Sequence, residues 1–300
     1  MNYYLSIFII GGINVILILG LTLLTSYTGL FSMGNVGFMM IGAYIAGLAN
    51  TKFGIPFIPS LLIAGLVSMA SGYIIGAPTV RSKLKGDHFA VALLGFASAV
   101  KVLICNIRVG DFDGAMGVSS IPKLSKWWVI LIIGAIFIYL VVNYINSAYG
   151  RNCRAVREQE VAALTMGINV SKTKLMSLLI NAFITGVGGG LFAFYTTIIV
   201  PTMFGQNQSS NHLIYVVFGG INSITGPVLA TFVLAILPEM LRVISTWRLV
   251  IYGVLIVIIM LVKPEGLLGY KELNFRWVKP AIAKLKAKTA KKAEGGNADG

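Results

Sequence analysis

Long apolar runs alternate with short polar connections along the chain, and the length of the runs predicts helices that cross a membrane. A helix needs about 20 consecutive, predominantly apolar residues to cross the core of a bilayer. The candidate spans are residues 3–24, 33–50, 56–80, 88–107, 127–146, 175–199, 211–222, 226–244 and 247–263. We therefore expect an all-α polytopic membrane protein with about eight to nine transmembrane helices.

Stretch 211–222 is too short for a comfortable crossing. We expect it to be re-entrant or a half-helix, which is tolerated where protein or a water-filled cavity surrounds it. Glycines within the spans, such as Gly72 and Gly76 or those between 186 and 190, predict places where two helix backbones approach closely.

Basic residues cluster in three places, and the positive-inside rule puts all three in the cytoplasm. The clusters are Arg81, Lys83 and Lys85; then Arg151, Arg154, Arg157, Lys172 and Lys174; and finally the lysines of the C-terminus. Connections 51–55, 108–126 and 200–210 then face outward, and nine spans would leave the N-terminus outside. The first apolar run has no basic residue before it and no small-residue cleavage site after it, which favours a retained span over a signal peptide.

Composition supports the same class of protein. Hydrophobic residues make up 57% and charged residues 11% of the 300 residues, whereas a soluble chain would carry charge in every surface helix. The net charge of +14 does not indicate nucleic-acid binding, because the basic residues lie in loops and in the tail. Residues 1–270 are predicted to form one transmembrane domain, and residues 271–300 a basic, partly disordered cytoplasmic tail that lipid headgroups could attract.

Catalytic and cofactor-binding patterns are missing from the sequence. It contains no phosphate-binding Gly-rich loop that ends in Lys and Ser or Thr, and neither His88 nor His212 lies in a cluster with metal-ligand spacing. We expect no enzymatic activity and no bound metal or cofactor. Cys105 and Cys153 should lie at different depths and stay unpaired. Lys101 is the one ionisable residue well inside a predicted span, which disfavours a carrier driven by protons or sodium ions.

The largest charged island of the chain, residues 150–167, lies between long apolar runs. Ala155, Ala162 and Met166 recur in it at helical spacing, and Gly167 is a natural terminator. The pattern predicts one short amphipathic helix, presented to a soluble partner, with small residues on one face. The alternative is a solvated loop with internal ion pairs.

Glu160, Ala162 and Ala163, followed after three residues by Gly167, resemble the EAA loop of bacterial ABC permeases. Residues Arg154 to Asn169 resemble the longer form that this loop takes in the permease subunits of branched-chain amino acid ABC importers. Further landmarks resemble the permease subunits of branched-chain amino acid ABC importers, in the order expected for that family. These are Tyr27-Thr28-Gly29, Ser32-Met33-Gly34, Ile41-Gly42-Ala43-Tyr44, Lys85-Gly86-Asp87-His88-Phe89-Ala90, Gly219 to Pro227, Leu237-Pro238-Glu239 and Lys263 to Gly269.

The chain departs from the family pattern at Leu30, Asn35 and Ser98, where glutamine, histidine and glutamate are usual. The resemblance therefore supports membership in this kind of transport machinery more strongly than it supports a particular cargo.

What the resemblance implies is a multi-pass subunit in the cytoplasmic membrane of a bacterium, with its C-terminus in the cytoplasm. Its expected partners are a related second permease, two cytoplasmic ABC ATPases, an extracytoplasmic substrate-binding protein and membrane lipid. ATP and magnesium would be used by the ATPases.

Two sets of residues follow from the resemblance. The residues expected to couple the chain to the ATPases are Arg157, Glu158, Glu160, Ala162, Ala163, Met166 and Gly167. The residues expected along the translocation path are Ser32, Asn35, Tyr44, Gly219, Gly220, Asn222 and Ser223. The cargo implied is leucine, isoleucine or valine. The alternatives are a permease of the same family for urea, short amides or another small polar solute, and an ion-coupled carrier or channel.

Overall fold

The computed structural model of the chain describes residues 2–82, 86–109, 112–220 and 223–240, and residues 253 and 257. Its α-helices are α1 (Asn2–Thr22), α2 (Asn35–Thr51), α3 (Phe57–Arg81), α4 (Gly86–Asn106), α5 (Trp127–Asn146), α6 (Ala148–Glu158), α7 (Glu160–Thr165), α8 (Val170–Thr196), α9 (Gln206–Gly219) and α10 (Thr225–Met240). A π-helical turn, Leu23–Tyr27, extends α1, and a 3-10 turn, Pro201–Met203, precedes α9. The expected all-helical character is confirmed, apart from a two-residue antiparallel pair of strands, β1 (Arg108–Val109) and β2 (Phe112–Asp113).

Five helical segments in the described ranges are long and apolar enough to cross a membrane: α1 with its π-helical turn, α3, α4, α5 and α8. The described apolar helices α2, α9 and α10 are shorter, with 17, 14 and 16 residues. The expected count of eight to nine spans is therefore not confirmed. The candidate span 247–263 and the predicted tail 271–300 lie outside the described ranges, apart from residues 253 and 257.

Helix α8 forms the centre of the bundle and packs against α1, α2 and α3. Glycines make this packing close, as the sequence predicted. A Cβ atom on Gly42 of α2 would collide with the backbone of Gly186 in α8, and one on Gly189 would collide with the backbone of Met39. On α3, Gly72 faces Ala182 of α8. Small residues in membrane helices allow this backbone approach.

The outer helices differ from the central ones in exposure. In the most apolar stretch of α8, 67% of the residues are buried, against 22% in α4 and in α5. The exposed side chains of α5 include Ile132, Ile136 and Leu140. Such an apolar exposed face is what a lipid-facing helix presents.

One end of the bundle is closed by the connection between β2 and α5, which pairs with the connection after α8. Val118 and Ile199 exchange backbone hydrogen bonds of 3.0 Å in both directions. Gly117 has a φ of +82° there, and a Cβ atom would meet the Ile199 carbonyl. The charged island lies at the opposite end, next to the π-helical turn that follows α1.

The charged island contains two helices, so the expectation of one short amphipathic helix is wrong. α6 ends at Glu158, and α7 begins at Glu160, with Gln159 extended between them at φ −158° and ψ 111°. The break folds α7 back, so that Ala163 packs with Val156 of α6 and Val170 of α8. Burial of these three apolar side chains favours the bend over a continuous helix.

Candidate functional site

Helix α6 of the charged island is fastened to the bundle by three contacts. The Arg157 guanidinium donates a short hydrogen bond to the Ser26 carbonyl, at the end of the π-helical turn. Arg154 lies over the ring of Tyr27, 5.2 Å from its centroid. The Cys153 sulfur lies 3.4 Å from the hydroxyl of Ser177 in α8. Displacement of α6 would therefore act directly on α8 and on the segment that follows α1.

The hydroxyl of Thr28 donates a hydrogen bond to Ser177 Oγ at 2.8 Å. This bond joins the segment that follows α1 to α8. Both cysteines are free, as expected from the sequence, and Cys153 is buried in this contact.

Gly167 terminates helix α7, as the sequence predicted, two residues after its last residue, Thr165. This glycine has a φ of +81°. Its N–H donates to the Leu164 carbonyl and the next N–H, from Ile168, donates to the Ala163 carbonyl, both at 3.0 Å. These two bonds form the Schellman motif that satisfies the last carbonyls of a helix.

The residues expected to couple the chain to ATPases divide into two groups. Glu158, Ala162, Met166 and Gly167 are exposed, and Met166 is 81% exposed. Arg157, Glu160 and Ala163 instead make contacts within the chain: Arg157 with Ser26, Glu160 with Lys174 of α8, and Ala163 with the apolar cluster that it shares with Val156 and Val170.

Sequence reasoning missed two apolar members of the exposed surface of α7. Val161 is 68% exposed and Leu164 is 57% exposed, next to Met166. We call these three residues the α7 apolar surface. Val161 and Leu164, at i and i+3, are neighbours on one side of α7, and Met166 follows as its C-cap residue. Exposed apolar residues rimmed by charge are typical of a protein-binding surface.

Asn35, expected on the translocation path, lies at the meeting point of four helices and is fully buried. Its Nδ2 donates to the Leu17 carbonyl of α1 at 3.3 Å and lies 3.5 Å from His212 Nδ1 of α9. The Thr185 hydroxyl of α8 lies 3.0 Å from Asn35 Oδ1. These contacts satisfy the hydrogen-bonding groups of Asn35 in an apolar interior, where an unpaired polar group would cost free energy.

The other path candidates lie apart from Asn35. Ser32 is buried, and its hydroxyl accepts a hydrogen bond from the N–H of Gly34 at 3.3 Å. Tyr44 donates to the Gly114 carbonyl at 3.4 Å and lines a groove of about 390 Å³ between α2 and α4, whose other lining side chains are apolar except Lys52.

Gly219, Gly220 and Ser223 form the buried turn between α9 and α10. Gly220 has a φ of +108°, and Ser223 Oγ accepts a hydrogen bond from the N–H of Gly226 at 3.2 Å. The turn ends α9 after 14 residues, so this helix is short, as expected, although it covers Gln206–Gly219 rather than residues 211–222. Asn222 lies outside the described ranges.

A pocket that sequence reasoning missed opens beside α9. It has a volume of about 420 Å³ and is lined by Asn14, Thr202, Met203, Gly205, Asn207, Gln208, Asn211, His212 and Tyr215. We call it the polar pocket. None of the residues expected on the translocation path lines it. The sequence signal for this pocket is the polar run from Gln206 to His212, although its residues up to 210 are equally typical of the predicted outward connection. Helix α9 in fact begins at Gln206.

Comparison with known proteins gives a consistent result. The family model for the permease component of branched-chain amino acid transport systems matches residues 3–260. The chain is 30% identical to the high-affinity branched-chain amino acid transport system permease protein LivM of Salmonella typhimurium, over 85% of the chain and 68% of that protein. LivM of Escherichia coli gives the same identity and coverage.

A second group of relatives is more distant. The chain is 27% identical to a probable branched-chain amino acid transport permease protein, LivH, of Methanocaldococcus jannaschii, over 85% of the chain and 88% of that protein. No solved structure gives a significant match.

Proposed function

The chain belongs to the family of permease components of branched-chain amino acid transport systems, and from this we propose that it is the membrane-spanning subunit of an ATP-driven importer for leucine, isoleucine and valine. The names of the LivM relatives support this cargo. Similarity to both LivM and LivH proteins supports pairing with a related second permease. The subunit would lie in the cytoplasmic membrane of a bacterium, with the charged island and the C-terminus in the cytoplasm.

The observation that carries the proposal is the two-sided construction of the charged island. Its inner side is fixed to the bundle by Arg157, Glu160 and Ala163, while Val161, Leu164 and Met166 are exposed. A fixed base and a free apolar surface suit a segment that docks in a cleft of an ATPase. Two cytoplasmic ABC ATPases would bind there and would hold the ATP and the magnesium, and an extracytoplasmic binding protein would deliver the cargo to the other end.

Movement of the docked segment would reach the bundle along two routes. The Glu160–Lys174 pair connects α7 to α8, and the Arg157–Ser26 bond connects α6 to the turn after α1. Because packed helices shift as rigid bodies, closure of the ATPases would move α8 and α1 relative to their neighbours. The buried contacts of Asn35 with Leu17 and Thr185 lie between these same two helices.

Uptake by the complete importer in proteoliposomes tests this function. The complex of this chain with its second permease and ATPases is supplied with its binding protein, and uptake of leucine, isoleucine, valine and urea is measured with and without ATP. The proposal expects ATP-dependent uptake of the three amino acids.

Other results assign the chain differently. Uptake of urea alone would identify a different cargo for the same machinery. Uptake that persists without ATP and collapses with the proton or sodium gradient would identify an ion-coupled carrier and refute the proposal.

A further inference from the structure

We propose that the polar pocket binds the zwitterionic head of the amino acid cargo on its way into the membrane. This inference rests on the proposed function, since it assigns a site to the solute that the importer carries. The pocket lies between α1, α9 and the connection before α9. Its volume of about 420 Å³ lies within the range of about 300–1,000 Å³ that small-molecule sites occupy.

The chemistry of the lining fits a zwitterion. Four carboxamide side chains contribute: Asn14, Asn207, Gln208 and Asn211. Each carboxamide offers a carbonyl oxygen for an ammonium group and two N–H donors for a carboxylate. The described lining contains no Asp, Glu, Lys or Arg, so the pocket can hold both charges of an amino acid without a strong preference for either. A site on a transport path must also release its cargo, which favours weak, neutral contacts.

The depth of the pocket indicates a path into the membrane. Thr202 and Gly205 belong to the connection at the end of the bundle opposite the charged island. Asn14 lies midway along α1, 12 residues after Asn2, or about 18 Å at 1.5 Å per residue. From Leu5 to Leu21, Ser6 is the one other polar residue of this helix. Polar side chains within apolar spans mark substrate pathways.

His212 connects the pocket to the interior of the bundle. It lines the pocket and is nevertheless only 1% exposed. Its Nδ1 faces the amide nitrogen of Asn35 at 3.5 Å. An amide nitrogen only donates, so Nδ1 accepts and a neutral imidazole carries its proton on Nε2. His212 can therefore offer an N–H donor to a carboxylate while Asn35 fixes its ring.

Two variants at the edge of the pocket test this site in the complete importer. Asn211→Leu and Gln208→Leu each remove a carboxamide from a partly exposed position, and Asn143→Leu makes the same change on the exposed face of α5. We expect the pocket variants to lower kcat/KM for leucine uptake roughly 10-fold or more, as the loss of a hydrogen bond to a charged group does. Asn143→Leu should transport like the unmodified importer and keep its basal ATPase activity.

A labelling experiment reads out occupancy of the site independently of transport. Cys105 and Cys153 are first replaced by serine, and cysteine is then introduced at the pocket as Met203→Cys, which keeps all four carboxamides, or, as a control in the exposed connection before α5, as Ser119→Cys. Leucine with the binding protein should slow the reaction of Met203→Cys with a membrane-impermeant maleimide and leave Ser119→Cys unaffected. Equal rates at Met203→Cys with and without leucine would overturn the inference.

Failure of the site and failure of the proposed function give different results. If the unmodified importer takes up none of the three amino acids, the proposed cargo is wrong, and the head-group assignment falls with it. If the unmodified importer takes up leucine and both pocket variants stay within twofold of it, the proposed function stands and the site alone is refuted.

Discussion

Glu160 and Lys174 form an ion pair that joins α7 to α8, with 2.6 Å between Oε1 and Nζ. The two side chains lie in different surroundings: that of Lys174 is 8% exposed and that of Glu160 is 43% exposed. A buried ammonium group is stabilised by its partner, and loss of the partner costs more than replacement of both charges. The pair is therefore asymmetric, and its two members should respond differently to substitution.

Glu160→Ala should be more damaging than Lys174→Met. The first change leaves a buried ammonium group unpaired and should cost about 1–3 kcal/mol of stability, with a matching loss of uptake. The second removes the charge and keeps an apolar side chain of similar length. Thermal unfolding of the purified chain and ATP-dependent leucine uptake measure the two effects. The double variant should recover part of the loss from Glu160→Ala; additive losses would show that the ion pair does not link α7 to α8.

Long apolar helices could be predicted from the sequence, whereas features that depend on packing could not. The predicted span 127–146 coincides with α5, and 56–80 differs by one residue from α3. The break at Gln159 was missed because both halves of the charged island have good helix formers, and only burial of Ala163 selects the bend.

The polar pocket was missed for a related reason. The polar run that begins α9 has the composition of a loop. Asn14 of α1 faces this run because of the way the helices pack. The spacing of residues along the chain does not specify that packing.

The contact between Gly29 and Arg157 predicts the outcome of a second substitution. Gly29 has a φ of +75°, and a Cβ atom there would lie 3.0 Å from Arg157 Cγ. Gly29→Ala should therefore combine backbone strain of about 1–2 kcal/mol with displacement of Arg157 from Ser26. We expect a clear loss of uptake. Gly54→Ala is the matched control, since Gly54 has a φ of +63° and open space around its Cβ position. Equal effects of the two variants on uptake would mean that strain alone is responsible.

Close approach of α2 to α8 at Gly42 predicts a third result. Gly42→Ala places a methyl group against the backbone of Gly186, so the helices must separate, at a cost of about 1–3 kcal/mol. Gly95→Ala adds the same methyl group to α4 with no atom within 4 Å, and should be neutral or stabilising by up to about 1 kcal/mol. Thermal unfolding in detergent compares the two, and a stable Gly42→Ala variant would contradict the close packing of α2 on α8.

Thr185 should matter through its hydroxyl group. Thr185→Val keeps the shape of the side chain and removes the donor that faces Asn35 Oδ1, at a cost of about 1 kcal/mol, as is found for hydrogen bonds between membrane helices. The control is Thr231→Val, because the buried hydroxyl of Thr231 bonds only within α10, to the Pro227 carbonyl at 2.6 Å. Thermal unfolding should show the larger loss for Thr185→Val, and a loss in Thr185→Val no larger than in Thr231→Val would show that the Asn35 contact contributes little.

Substitution of two equally exposed methionines at opposite ends of the bundle distinguishes an effect on ATPase docking from a general effect of added charge. Met166 belongs to the α7 apolar surface and Met116 to the connection between β2 and α5, and both are 81% exposed. Met166→Glu puts a carboxylate into the proposed ATPase contact, where its desolvation without a partner would weaken binding about 10-fold or more. Met116→Glu makes the same change at the opposite end of the bundle, away from the proposed ATPase contact. Co-purification of the ATPases and ATP-dependent leucine uptake should fall for Met166→Glu alone, with membrane insertion unchanged in both variants. Full ATPase binding by Met166→Glu would show that the α7 apolar surface is not the docking surface.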